Sequence, residues 1–147
     1  MLSTYDLLVL LHLIGLSFGL GAATVKMVFV IKSNADHEFL PVYFKVTKIV
    51  TKFIVSGILI LTLSGIGWII YGYSFSPLFI VKLVLVGLMW LLGPIIDNVF
   101  EPRLVKAAPM PGATVTPEFM DARKKHLVLE IIATVLMYAI TVMGVML

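Results

Sequence analysis

The sequence has no cysteine, which removes disulfides, thiolate metal sites, iron–sulfur clusters and cysteine nucleophiles and leaves the redox compartment unread. Charge is also scarce. Asp, Glu, Lys and Arg make up 13% of the residues, against roughly 25% in a soluble domain. Met1 to Asp6 contains no Lys or Arg, so the basic start of a cleavable signal peptide is missing and the first apolar segment is expected to stay in the membrane. Glycine-rich phosphate loops, nucleophile triads, zinc-ligand spacings and internal repeats are lacking too. The net charge of +3 matters through where Lys and Arg lie rather than through a polyanion partner, and nucleic acid is not an expected partner.

Apolar sequence is what the chain has in quantity: 61% of the residues are hydrophobic and the mean hydropathy is +1.11. A spanning helix needs about 20 mostly apolar residues, and residues 5–31, 53–73, 77–100 and 126–147 qualify. The predicted fold is an all-α integral membrane protein, one domain over 1–147, with four transmembrane helices in an up-down antiparallel bundle. The stretch Gly72 to Pro77 is short enough to impose an antiparallel turn, and Pro77 suits the start of the third helix. Within the loop 32–52, Phe39, Val42, Tyr43, Val46, Ile49 and Val50 recur at helical spacing among Lys45, Lys48 and Lys52. This piece reads as interfacial or as an extension of the second helix. The loop 101–125, with Pro102, Pro109, Pro111, Gly112 and Pro117, is expected to be irregular, and Thr116-Pro117-Glu118 offers a helix cap. All of the Lys and Arg except Lys26 and Lys82 fall in these two loops. The positive-inside rule assigns both loops to the cytoplasm and both termini to the other side.

Alternating helix directions bring distant residues to similar depths. His12 and Lys82 fall near the end that carries the termini. Lys26, Asp97 and Glu130 fall near the basic end. Ionisable groups in hydrocarbon cost roughly 2.5–3.5 kcal/mol each on insertion scales, so they are expected to face one another or water. For the inner group two readings stand: a relay for protons or ions, or a structural arrangement in which Lys26 and Lys52 snorkel while Asp97 and Glu130 pair with Arg103 and Lys124. His37 and His126 read as solvated residues. His12, by contrast, shares a helix face with Gly15, Gly19, Ala22 or Ala23, and Lys26. It is expected either to hydrogen-bond across helices, to Ser64 or Thr141, or to serve as a metal or haem ligand or proton carrier beside glycines that admit a flat ligand. A haem bridging His12 and His126 is excluded by a core about 30 Å thick. Lys82, Met137 and Met143 are the second partners at compatible depth, and a histidine–methionine pair also suits copper.

The first helix, with His-Leu-Ile-Gly and then Phe-Gly-Leu-Gly (His12 to Gly21), and the third, with Ile-Val-Lys-Leu-Val-Leu-Val (Ile80 to Val86), together resemble a group of small bacterial membrane proteins. That group includes the HemJ-type protoporphyrinogen oxidases and the membrane domain of the copper-resistance D (CopD-like) family. The resemblance implies catalytic roles for His12 and Lys82, with haem b on His12. It also implies a place in the bacterial inner membrane. Where those enzymes carry a tryptophan after the histidine, and an arginine and a second histidine near the end of the first helix, this chain has Phe18, Val28, Phe29 and Lys32.

Three functions follow as expectations. The first is a haem- or porphyrin-associated redox protein using His12 and Lys82, with Gly15, Gly19 and Met137 around the cofactor. The second is a non-catalytic subunit or assembly partner of a larger membrane complex, or a homo-oligomer. The third is a copper-handling protein using His12 with Met137 or Met143.

Overall fold

The computed structural model describes residues 3–110 and 112–147; Met1, Leu2 and Pro111, the last a proline of the expected third loop, lie outside the described residues. Helix accounts for 88% of the chain. A spanning chain requires this, because in hydrocarbon each backbone N–H and C=O must be satisfied within its own segment. Helix α1 runs Thr4–Ala35 and α2 Leu40–Ile70, with a 3₁₀ turn, His37–Phe39, between them. Helix α3, Pro77–Ile95, continues through a π-helical turn, Ile96–Phe100, into the short α4, Glu101–Ala107. Helix α5 spans Pro117–Val145. The four long stretches are each apolar enough to cross a membrane.

Local chemistry sets the starts. Ser3 and Asp6 form a reciprocal capping box at α1, with N–H to side-chain distances of 3.1 and 3.0 Å. Ser76 and Thr116 each accept the N–H of the residue three positions on, at 3.2 Å, with proline at the first helical position. The helices outrun the hydropathy limits 5–31, 53–73, 77–100 and 126–147. Of the stretch 39–52, all but Phe39 is the first part of α2, an extension and not a separate helix. Leu40 and Tyr43 hold it in place by packing with Val30, Leu104 and Phe119 into a buried cluster that closes the basic end. The third loop is correspondingly less irregular than its prolines suggest, since Glu101–Ala107 and everything from Pro117 are helical.

Helices α1 and α2 pack most closely. A methyl group on Gly15 would lie 2.9 Å from the backbone N of Leu61, and one on Gly57 would meet the backbone of Gly19. These small residues let the two backbones touch, the usual device for helix association in lipid. Around the bundle the order is α2, α1, α5, α3. Among the described residues α2 and α3, although consecutive, do not pack along their lengths. A lateral cleft therefore opens between them, crossed at mid-depth by Trp90, whose Nε1–H donates to Thr62 Oγ1 at 3.0 Å. Trp90→Phe removes that tie and is expected to lower stability by about 0.6 kcal/mol, the mean for interhelical hydrogen bonds in membranes. Unfolding in mixed detergent followed by circular dichroism measures it, and an unchanged midpoint contradicts the bridging role.

Candidate functional sites

The cleft has two chambers. The one nearer the termini, about 300 Å³, is lined by His12, Thr62, Gly65, Trp68, Lys82 and Gly144 together with apolar side chains of all four long helices. His12 and Lys82 are thus brought to one cavity. His12 Nδ1 lies 2.8 Å from Ser64 Oγ, and the Ser64 hydroxyl donates to Leu61 O at 3.0 Å. Ser64 thus anchors the imidazole through Nδ1, and Nε2 is the ring nitrogen it does not engage. The Trp68 ring, 4.7 Å away between centroids, packs on the imidazole and fixes its plane.

Two expectations about this site need correcting. Gly15 and Gly19 do not form a face for a flat ligand, because their Cα surfaces are filled by Gly57, Leu61 and Met137. The open surface is at Gly65, where an added Cβ would meet nothing within 4 Å. Met143 is not among the residues lining the cavity, whereas Met137 is. Of the two partners named for His12, Ser64 holds the hydrogen bond; the Thr141 hydroxyl donates to Met137 O at 2.9 Å within its own helix.

The second chamber, about 280 Å³, leads from the cleft toward the basic end past Met89, Trp90, Gly93 and Pro94 to Lys26, Asp97 and Glu130. Lys26, 3% exposed, places Nζ 2.7 Å from Glu130 Oε1, 3.1 Å from Asp97 Oδ1 and 3.6 Å from Glu101 Oε2. Asp97 and Glu130 therefore meet Lys26 rather than Arg103 and Lys124, which are exposed. Lys26 itself is buried and tied to these carboxylates inside the bundle.

Glu101 belongs to this group, and sequence reasoning left it in a loop. Pro94 lacks an N–H and disturbs the helical ladder before it. The following turn widens, with Glu101 N–H bonded back to Ile96 O. Such π-helical turns recur at functional sites. Asp97 and Glu101, four residues apart and so on one helical face, both reach Lys26. His126 is the second correction. Expected to be solvated, it is 1% exposed, with Nε2 3.4 Å from Glu130 Oε1 and 3.5 Å from Tyr43 Oη. The available signal was the His126–Glu130 spacing of four, which puts both on one helical face. His37 is exposed, beside Arg123 Nη1 at 3.2 Å.

Four apolar spans enclosing a histidine–lysine cavity and a buried carboxylate–lysine–histidine cluster define a multi-pass α-helical membrane protein with two internal polar sites. The chain matches no family model, no curated protein and no solved structure.

Proposed function

We propose that the chain is a bacterial inner-membrane protein that takes a haem or porphyrin from the bilayer into the α2–α3 cleft and serves redox chemistry there. In this reading the basic end faces the cytoplasm and the termini lie outside. The observation that carries it is the anchoring of His12 Nδ1 by Ser64 in the cavity that also holds Lys82. The hydrogen bond at Nδ1 orients the ring and leaves Nε2 free to bind a metal centre, the arrangement by which protein ligands are held.

The residues present fit such a group in part. Gly65 leaves room on one wall, Trp68 stiffens the imidazole, and the Lys82 ammonium in the same cavity is suited to an acidic substituent. The cavity, about 300 Å³, is at the small end of ligand pockets, which run from roughly 300 to 1,000 Å³, so a macrocycle would need the adjoining cleft as well. Phe79, Leu83 and Ile140 give the same space an apolar lining. Bound haem supplies one-electron chemistry; the chain supplies a nitrogen ligand, a cation and an apolar pocket.

The test is an absorption spectrum of the detergent-purified protein, oxidised and dithionite-reduced, before and after adding haem. A Soret band that shifts on reduction, disappears in His12→Ala and persists in His126→Ala is the expected result. A flat spectrum after haem addition overturns the proposal.

The open flank between α2 and α3 favours one second reading, in which a helix of a partner subunit or of a second copy fills the gap. A colourless protein that co-purifies with a stoichiometric membrane partner is the result that reading expects. Copper handling through His12 and Met137 in this cavity is the remaining alternative, and metal analysis of the same sample decides it.

A further inference from the structure

The inner cluster contains three carboxylates, Asp97, Glu101 and Glu130, around one ammonium, Lys26. With all three ionised, two negative charges would be left over in an apolar surrounding where each unbalanced charge is costly. Arg103, Lys124 and Lys125 are exposed and make no ion pair with the cluster among the described residues, Lys125 pairing with Asp121 instead. The shortfall is also visible in hydrogen bonding. Glu101 Oε2 is buried without a hydrogen bond, its only cation Lys26 at 3.6 Å, while Glu130 Oε1 is held by the Lys26 ammonium at 2.7 Å. His126 Nε2 has only the two long contacts to Glu130 and Tyr43.

These three residues converge. One ligand atom each from Glu101, His126 and Glu130 lie within 4.8 Å of one another. Bonds of about 2.0–2.2 Å to a metal ion bring its donors to roughly 3–3.5 Å of each other. That closure is within reach of side-chain rotation at the two glutamates.

We propose that Glu101, His126 and Glu130 bind one divalent transition-metal ion at the basic end of the bundle. A double positive charge brings the ion, Lys26 and the three carboxylates together to neutrality, with Lys26 retaining Asp97 at 3.1 Å. A donor set of one imidazole and two carboxylates, in a chain without cysteine, suits Zn²⁺, Mn²⁺ or Fe²⁺ better than Mg²⁺ or Ca²⁺, which take oxygen donors. Asp97, with 26% of its side chain exposed, lines the second chamber together with Glu130, the one of the three ligands that borders it.

The experiment uses the full chain in detergent, stripped with EDTA and titrated with Zn²⁺ by calorimetry and with Co²⁺ as a visible-absorption probe. One equivalent is expected to bind. Glu101→Gln and His126→Ala should each weaken binding at least tenfold, with helical content unchanged, while His12→Ala leaves it as it was. X-ray absorption on the Zn²⁺-loaded wild type, which needs no variant to fold, should find one histidine nitrogen among oxygen ligands. Failure of the wild type to bind, binding that survives both variants, loss in His12→Ala instead, or a shell with no histidine or two each overturns the proposal. Because the haem test reads His12 and this one reads His126, the two readings fail separately.

Discussion

Lys26→Ala is expected to lower the free energy of unfolding by about 3–5 kcal/mol, the range for a buried ion pair broken from one side. The loss does not come from the attraction alone. Removing the ammonium leaves Asp97, Glu101 and Glu130 facing one another in a buried site, where repulsion adds to the cost of desolvation. Glu130→Gln in the same chain removes one of the stranded charges and should restore part of the stability. Unfolding in mixed detergent, followed by circular dichroism on EDTA-treated protein, measures both changes. A loss below about 1 kcal/mol, the value of an exposed pair, means the cluster is hydrated and contradicts the buried arrangement.

Gly57→Ala carries the second large effect. The added Cβ meets the backbone N and Cα of Gly19 and lies 2.7 Å from Gly15 O. Main-chain atoms cannot rotate aside, so α1 and α2 must separate along their closest contact. Overpacking of this kind costs about 1–3 kcal/mol, and Gly57→Leu should cost more. Gly21→Ala and Gly87→Ala serve as controls, since neither Cβ meets anything within 4 Å. Replacing a mid-helix glycine by alanine is worth about 0.5–1 kcal/mol, so both controls should hold or gain stability. If Gly57→Ala behaves like them, the close approach of the two backbones is wrong.

The four spans were legible because hydropathy over some 20 residues reports directly on burial in lipid. Depth was legible too, since alternating directions put Lys26, Asp97 and Glu130 at one level. Glu101 was missed because the hydropathy limit at residue 100 left it in the loop, although its spacing of four from Asp97 puts both on one helical face. His126 was misread because the hydropathy boundary fell on it, whereas α5 begins nine residues earlier in the packed basic end. The glycines of α1 were recognisable as a small-residue face, but what covers that face depends on Gly57 in another helix. The cleft was hidden for a similar reason. A short turn between α2 and α3 suggests neighbours, as consecutive elements usually are, yet α3 is held by α5 instead.

That pairing bears on how the molecule comes together during synthesis. Helices α1 and α2 lock through their glycines as soon as both are in the bilayer, an early and self-sufficient hairpin. Helix α3 enters next and finds no close helix partner among the described residues until α5, the last to be made, arrives. In the interval Asp97 and Glu101 have Lys26 but not the helix bearing His126 and Glu130. The second half of the protein is then a waiting intermediate, and arrest of translation between α4 and α5 should leave α3 accessible to crosslinking by the insertion machinery.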